Sequence, residues 1–355
     1  LDFAAGIAVN SLGYHYPGYD EALKDQIDKL MHISNLYYNE PIIEAGAKLV
    51  KASKMSKAFF TNSGTEAIEG ALKAAKKYAY VRDGHADHEI IAMNHSFHGR
   101  SIGALSVTGT AHYREPFEPL MGGVKFADFN NLESVKAQIT DKTCAIITEV
   151  VQGEGGIYPA KKEFLEGLRQ ICDEKDIMLI FDEIQCGMGR TGHYFAWQAY
   201  GVQPDIMTSA KALGCGVPVG AFVLSEKAAK ASLEPGDHGT TYGGNPFVCA
   251  AVSKVFDIYE NDKIIEHVQE MTPYLEQKLD EIVAKHECAA TRRGMGFMQG
   301  IVIQGRSVGE VVKAALAKGL LVISAGSDVL RIVPPLVITK EHIDKMAAIL
   351  DECME

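Results

Sequence analysis

The sequence lacks an excess of basic residues, since 35 lysines and arginines face 46 aspartates and glutamates, a formal net charge of −11 over 355 residues. Non-specific nucleic-acid binders present a basic surface, so we expect no nucleic-acid partner. No apolar run reaches the roughly 20 residues that cross a bilayer, and we expect no membrane association. No signal peptide is visible, and because the chain opens inside a segment that looks structured, we expect its native start to lie upstream.

Paired cysteines are also lacking. The seven cysteines are scattered, and none forms a CxxC pair. An odd number in a long chain argues against a disulfide framework and against a zinc ribbon. We therefore expect a protein of the reducing cytoplasm that binds no metal.

The middle of the chain alternates short apolar runs with longer amphipathic stretches. Runs such as "CAIITEVVQ" and "IMLIFDEIQ" are separated by helical patterns such as Lys162–Lys175. This order predicts an α/β fold with a mostly parallel sheet. Polar residues follow the strands directly, at the edge where open α/β sheets bind ligands. From about residue 257 the pattern changes, which predicts a smaller α+β domain.

The segment "TNSGTEAIEG" places small polar residues at the start of a helical pattern. Ser63 followed by Glu66 fits a capping box, which is a structural role. The same segment fits an anion site, because Gly64 permits close approach, free N–H groups favour negative charge and the Thr65 hydroxyl adds a donor. The Walker pattern GxxxxGK is absent. The segment therefore predicts a helix cap or a phosphate site.

Two ionisable residues lie where burial would change their chemistry. Asp182 ends an apolar run, where it could hold a metal, act as a base or pair with a protonated ring nitrogen. No nearby set of ligands favours the metal. Lys211 lies in "TSAKALG", where lost solvation lowers the pKa of the amine and makes it a nucleophile toward carbonyls. The structural alternatives are a capping acid and a lysine that reaches the surface.

Three turn motifs, "SFHGR", "QGEGG" and "HGTTYGG", supply further candidates: Phe97, His98, Arg100, Glu154, Thr240 and Thr241. An aromatic side chain suits a flat ring, and a guanidinium group suits a carboxylate. Together with the lysine, the acid and the helix start, these groups match what pyridoxal 5′-phosphate requires.

The ordered motifs resemble those of one family: "SNLYYNEP", "TNSGTEAIEGALK", "FHGR", "QGEGG", "FDEIQCGMGRTG", "SAKALG", "TTYGGNP" and "LRIVPPL". The chain is similar to the class III (ω-amino) aminotransferases of the fold-type-I pyridoxal-phosphate enzymes, essentially from end to end. The resemblance implies a large domain at 34–256 with a mostly parallel seven-stranded sheet flanked by helices, and a small α+β domain at 257–355. Residues 1–33 would be a truncated part of the small domain. The resemblance also implies a homodimer with shared active sites.

The resemblance further implies roles for single residues. Lys211 would form a Schiff base with the cofactor and serve as general base and acid, and Asp182 would pair with the pyridinium nitrogen. Thr241 would reach the phosphate bound in the neighbouring subunit. The other cofactor contacts would be Ser63, Gly64, Thr65, Phe97, His98, Ile184 and Gln185.

Substrate contacts are implied as well. Arg100 would hold the α-carboxylate of the amino donor, with Thr240 lining the same pocket and Tyr14 near the substrate entrance. Glu154 and Arg331 resemble a switching ion pair, whose opening frees the arginine for the carboxylate of 2-oxoglutarate. Tyr14 lies in "GYHYP", where the family has a Gly-His…His-Pro pattern, so the acyl preference stays open.

Within the family, "SGTEA", "FHGR" and "NLYYNEP" favour members that move the δ-amino group of N2-acetylornithine to 2-oxoglutarate, a step of arginine biosynthesis. Members that act on ornithine, succinylornithine or 4-aminobutyrate are alternatives. Glutamate-1-semialdehyde aminomutase is a more distant one, which Arg100 and the Glu154–Arg331 pair argue against. A non-catalytic phosphate-binding α/β protein is the last, and it predicts a colourless protein.

Overall fold

The structure, a computed structural model, describes residues 1–355 as thirteen strands and fourteen α-helices. The strands are β1 (Lys57–Thr61), β2 (Glu89–Met93), β3 (Val124–Ala127), β4 (Thr143–Glu149), β5 (Val151–Gln152), β6 (Tyr158–Pro159), β7 (Met178–Asp182), β8 (Ile206–Ser209), β9 (Gly220–Leu224), β10 (Ala289–Met295), β11 (Met298–Ile303), β12 (Ile323–Ala325) and β13 (Val329–Ile332). The helices are α1 (Ala5–Ala8), α2 (Tyr19–Lys29), α3 (Glu40–Ser53), α4 (Gly64–Asp83), α5 (Ile102–Ser106), α6 (Ala111–Arg114), α7 (Leu132–Gln138), α8 (Lys162–Lys175), α9 (Trp197–Tyr200), α10 (Glu226–Ala231), α11 (Pro246–Asn261), α12 (Ile264–Lys285), α13 (Val308–Ala317) and α14 (Lys340–Met354).

A seven-stranded sheet in the order β1-β9-β8-β7-β4-β2-β3 forms the centre of the larger part. Strands β8, β7, β4, β2 and β3 run parallel, and β9 is antiparallel to both of its neighbours. Every residue of β4 and β7 is buried, as expected for strands covered by helices on both faces. The predicted mostly parallel seven-stranded sheet is thereby confirmed.

Helix α4 begins directly after β1, and its first residue is Gly64. Ser63 caps the helix by accepting a hydrogen bond from the Glu66 N–H at 3.3 Å. The Glu66 carboxylate does not complete the box with Ser63, because it accepts from the backbone and side-chain N–H groups of Asn62 at 2.8 and 2.9 Å. Because α4 follows the end of β1, its first turn lies at the carboxyl end of the parallel strands, where the sequence predicts a ligand.

The C-terminal part contains a four-stranded antiparallel sheet in the order β10-β11-β13-β12, with α12, α13 and α14 packed nearby. The N-terminal residues join this part, since Phe3 N–H donates to the Leu321 carbonyl and Val333 N–H donates to the Phe3 carbonyl, both at 2.8 Å. Helix α11 runs across the predicted boundary between 34–256 and 257–355. One hydrophobic cluster includes residues of both parts, so these domain limits stay predictions.

No helix of the chain is both long enough and apolar enough to cross a lipid bilayer.

Candidate active site

A cavity of about 540 Å³ opens at the carboxyl ends of β1, β4 and β7. Ten of the residues predicted from the sequence line it: Ser63, Gly64, Thr65, Phe97, His98, Arg100, Asp182, Ile184, Gln185 and Lys211. The fold thus gathers side chains from separate motifs around one space. What the cavity can bind follows from the groups that line it.

Asp182 ends β7 and is only 4% exposed. Its Oδ1 accepts hydrogen bonds from the Ile184 N–H at 3.0 Å and from the Thr208 hydroxyl at 3.1 Å. Its Oδ2 lies 2.7 Å from Nδ1 of His98, which is buried as well. The carboxylate of Asp182 is therefore held in one orientation by three hydrogen-bond partners, of which His98 also lines the cavity.

Lys211 follows β8 and opens a short 3₁₀ turn over Lys211–Leu213. Its φ of 50° lies in the left-handed region, which is costly for a side chain of this size. Burial lowers the pKa of the amine to about 8, with Glu154 opposing the shift and Arg331 adding to it. About a tenth of the amine is consequently neutral at pH 7, so Lys211 can act as a nucleophile or base.

The start of α4 forms one wall of the cavity. The first N–H groups of a helix have no partner within the helix, and its dipole favours an anion beside them. A Cβ at Gly64 would lie 2.9 Å from Cδ1 of Ile184, so only glycine permits this close packing. Gly64 and Ile184 therefore pack against each other in the wall of the cavity, beside the N–H groups that favour an anion.

Arg100 stands at the mouth of the cavity and is exposed. Its guanidinium carbon lies 5.5 Å from the centroid of the Phe97 ring and 4.5 Å from that of Tyr113. The Phe97 and Tyr113 rings meet edge to face at 5.8 Å. Cation–π contacts of this kind hold the guanidinium over the rings and leave its N–H groups free for a carboxylate.

Glu154 and Arg331 form a bidentate ion pair beside the cavity. Nη1 of Arg331 lies 2.5 Å from Oε1 of Glu154, and Nη2 lies 3.3 Å from Oε2. The guanidinium also donates to Oε1 of Gln185 and to the Ser324 carbonyl, both at 3.1 Å. The structure thus contains the ion pair, and its switching role stays a prediction.

The remaining predicted residues lie outside the cavity lining. Thr240 lies beside the residues that precede α4, and its hydroxyl accepts a hydrogen bond from the side-chain amide of Asn62 at 3.3 Å. Thr241 is exposed on the protein surface. Tyr14 is 65% exposed and donates its hydroxyl to Asp2 at 2.8 Å. The structure therefore does not bring Tyr14 to the cavity.

Glu149 lines the cavity and is missing from the residues singled out in the sequence. It ends β4, where its carboxyl oxygens accept from the N–H groups of Phe97 at 3.2 Å and Gly153 at 3.1 Å. Burial raises the pKa of this carboxyl well above its usual value, and Asp182 nearby adds to the effect. An acid at the end of a buried apolar run is the signal that picks out Asp182, and it applies equally to Glu149.

Comparison with known proteins assigns the chain to a family. The family model described as aminotransferase class-III matches residues 1–354, and the chain belongs to this family. An acetylornithine aminotransferase of Methanocaldococcus jannaschii is 48% identical, over 99% of this chain and 88% of the relative. A succinylornithine transaminase of Yersinia pseudotuberculosis is 44% identical, over 97% of this chain and 85% of the relative.

Solved structures agree with this assignment. An ornithine aminotransferase of Toxoplasma gondii, whose active site is partly occupied by pyridoxal phosphate, has a TM-score of 0.94 and 28% identity, covering 99% of this chain and 85% of that one. An N-acetylornithine aminotransferase of Stenotrophomonas maltophilia has a TM-score of 0.87 and 35% identity, covering 99% and 90%. The predictions of the family, the fold type, a transaminase and a pyridoxal-phosphate cofactor are thereby confirmed.

The residues present fit this cofactor. The cavity of about 540 Å³ is large enough for a substituted aromatic ring, and Phe97 and Ile184 provide apolar surface for it. The buried Asp182 faces the cavity and has no lysine or arginine nitrogen within 4.0 Å, and its hydrogen-bond partner among the ionisable side chains is His98. A ring nitrogen that carries a proton would supply the missing positive charge, and the amine of Lys211 would supply the covalent link.

Proposed function

We propose that the protein transfers the δ-amino group of N2-acetylornithine to 2-oxoglutarate, giving N-acetylglutamate 5-semialdehyde and glutamate, as a step of arginine biosynthesis. One observation carries the proposal: the same cavity is lined by a lysine of lowered pKa, a buried acid and a helix start, with an arginine at its mouth. N2-acetylornithine as the donor is supported by the relatives at 45–48% identity, which are named acetylornithine aminotransferase.

Each group of the cavity has a task. Bound pyridoxal phosphate supplies a carbonyl for the donor amine and an electron sink for the proton shift. Asp182, fixed by the Ile184 N–H and the Thr208 hydroxyl, holds a proton at the ring nitrogen. Lys211 would move the proton from the δ-carbon of the donor to the carbon contributed by the carbonyl of the cofactor. Phe97 and Ile184 would provide apolar surface for the ring and keep water from it, since both line the cavity.

Recognition of two unlike substrates follows from the arginines. Arg100 binds the α-carboxylate of the donor while Glu154 neutralises Arg331. When the ion pair opens, Arg331 receives the α-carboxylate of 2-oxoglutarate and one carboxylate replaces another at the same guanidinium. The exchange costs little net free energy, because Gln185 and the Ser324 carbonyl keep the guanidinium in place.

We also propose a homodimer in the reducing cytoplasm. Leu36 and Tyr38 are 87% and 96% exposed, and Tyr242 beside Thr241 is 62% exposed. A second copy would cover this apolar surface and would bring Thr241 to the phosphate of the neighbouring subunit. Light scattering should give twice the mass of 38.6 kDa, and Tyr38→Asp should lower the measured mass. A wild-type monomer would contradict the dimer.

The cysteines bear on the compartment. All seven are free thiols, which suits a reducing cytoplasm.

A succinylornithine transaminase is the second candidate, favoured by the relatives named so at 44% identity. The half-reaction separates the two. The protein loaded with pyridoxal phosphate is mixed with N2-acetylornithine, N2-succinylornithine, ornithine or 4-aminobutyrate, without an acceptor, and loss of the cofactor's visible absorbance is followed.

Fastest bleaching by N2-acetylornithine supports the proposal, and fastest bleaching by another amine assigns that donor instead. An aminomutase is excluded if turnover requires added 2-oxoglutarate. A protein that stays colourless with added pyridoxal phosphate would overturn the proposed chemistry altogether.

A further inference from the structure

Glu69 lies on α4 beyond the cavity, and its carboxylate enters the turn that follows Arg100. Oε1 of Glu69 accepts hydrogen bonds from the N–H groups of Gly103 at 3.0 Å and Ala104 at 3.1 Å, and from the Ser101 hydroxyl. These contacts attach the turn to α4 through one carboxylate. Neither the sequence motifs nor the proposed mechanism assigns a role to this residue.

The hydrogen-bond chain continues from Glu69 to the anion site. Oγ of Ser101 lies 2.8 Å from Oγ1 of Thr65. Oγ1 of Thr65 also accepts from the backbone N–H groups of Arg100 and Ser101, both at 3.2 Å. One connected path therefore joins the start of α4, the segment that carries Arg100, and Glu69.

The direction of each hydrogen bond in this path is fixed by the number of protons available. An ionised carboxylate only accepts, so the Ser101 hydroxyl proton points to Glu69. Ser101 then has no proton for Thr65, and the Thr65 hydroxyl must donate to Ser101. The two lone pairs of Thr65 are taken by backbone N–H groups. The Thr65 hydroxyl is thus committed within the protein and has no proton left for a phosphate.

Close packing holds the path in place. A Cβ at Gly103 would lie 2.2 Å from Oε2 of Glu69, and a Cβ at Gly99 would lie 2.4 Å from Oγ1 of Thr65. Gly99 has a φ of 136°, which L side chains rarely adopt. Both glycines therefore let the turn approach α4 closely enough for the hydrogen bonds to form.

We infer that Glu69 is a positioning residue that directs the hydrogen bonds from Thr65 through Ser101. This direction leaves the cofactor phosphate to the backbone N–H groups at the start of α4. It also fixes the turn from which Arg100 reaches the donor carboxylate. We rest this inference on the proposed function, since it assumes a phosphate beside α4 and a carboxylate at Arg100.

Glu69→Gln, Ser101→Ala and Thr65→Val test the inference, with Glu163→Gln on the exposed first turn of α8 as the control. Hydrogen exchange is measured on the apo-protein for peptides that cover 97–106. Because each lost hydrogen bond is worth roughly a three- to tenfold change, we expect faster exchange of this order in all three variants and none in the control. Unchanged exchange in Glu69→Gln and Ser101→Ala would overturn the inference.

Two binding measurements distinguish positioning from general loss of structure. In Glu69→Gln and Ser101→Ala the donor KM should rise roughly three- to tenfold, while the acceptor KM changes less than about twofold. Thr65→Val should weaken pyridoxal phosphate no more than Ser101→Ala does, and Thr65→Ser should restore wild-type behaviour. If Thr65→Val alone weakens the cofactor, its hydroxyl binds the phosphate directly and the inference is wrong. If the wild-type protein binds no pyridoxal phosphate, the proposed function fails, while the exchange experiment still tests the hydrogen-bond path.

Discussion

Removing the charge of Glu154 should shift the enzyme from its donor toward its acceptor. In Glu154→Gln the guanidinium of Arg331 loses its only carboxylate partner. The side chain of Glu154 is 23% exposed and that of Arg331 is 4% exposed. Arg331 keeps its contacts with Gln185 and the Ser324 carbonyl, so it stays in place but uncompensated. A free guanidinium attracts the carboxylate of 2-oxoglutarate and repels the ammonium group of the donor.

The size of the effect follows from the contacts that are lost. Hydrogen bonds to charged groups contribute about 1.5–3 kcal/mol each, and the substituted amide keeps one acceptor oxygen. We therefore expect about 1–3 kcal/mol less free energy of unfolding, below the value for a fully buried pair. Since the acceptor no longer has to displace a carboxylate, its KM should fall roughly tenfold. The donor KM should rise by a similar factor.

Separate half-reactions are the appropriate assay, because they report on donor and acceptor independently. Stopped-flow absorbance of the cofactor gives the apparent affinity for each substrate in wild type and Glu154→Gln. The matched control is Glu133→Gln, which removes the partner of Lys136 from an exposed pair at 2.8 Å. If both half-reactions of Glu154→Gln change by the same factor, the pair is structural and the switching mechanism is refuted.

Three further predictions concern single groups of the cavity. Asp182→Asn should keep pyridoxal phosphate but lose at least about a hundredfold in turnover, because an amide does not stabilise a proton at the ring nitrogen. If a spectrophotometric assay gives turnover close to wild type, Asp182 does not hold that proton. Arg100→Lys should raise the donor KM about tenfold and leave the acceptor KM unchanged, and equal effects in steady-state kinetics would exclude Arg100 as the donor's partner. Because burial lowers the pKa of Lys211 to about 8, capture of pyridoxal phosphate by the apo-protein should accelerate about tenfold per pH unit up to pH 8 and then level. A rate that keeps rising to pH 10 would show an ordinary lysine.

Much of this site is predictable from the sequence because its signals are local. Asp182 and Lys211 each follow an apolar run, and Gly64 opens an amphipathic helix, so the residue type and its place in an element already limit the chemistry. The parallel sheet then brings these ends to one edge. The family resemblance supplies the cofactor that unites them.

Apart from the Glu154–Arg331 pair, which the family resemblance implies, the contacts between motifs could not be predicted, because they depend on how the strands are ordered. His98 reaches Asp182 across 84 positions of sequence, and Glu149 binds the Phe97 N–H across 52. The spacing of apolar residues along the chain carries no information about which distant side chains meet. Tyr14 does not line the cavity, because its hydroxyl donates to Asp2 on the exposed surface near the N-terminus.

The geometry of Lys211 separates an enzyme from a protein that merely binds phosphate. Phosphate binding needs the free N–H groups at the start of α4, and neither Lys211 nor Asp182 contributes to them. Yet Lys211 is held at a φ of 50° with a lowered pKa, and Asp182 is buried without a lysine or arginine partner. Both arrangements cost folding free energy, and the rest of the structure must offset them. An amine of lowered pKa and a fixed carboxylate that line the same cavity are what proton transfer requires, whereas phosphate binding alone needs neither.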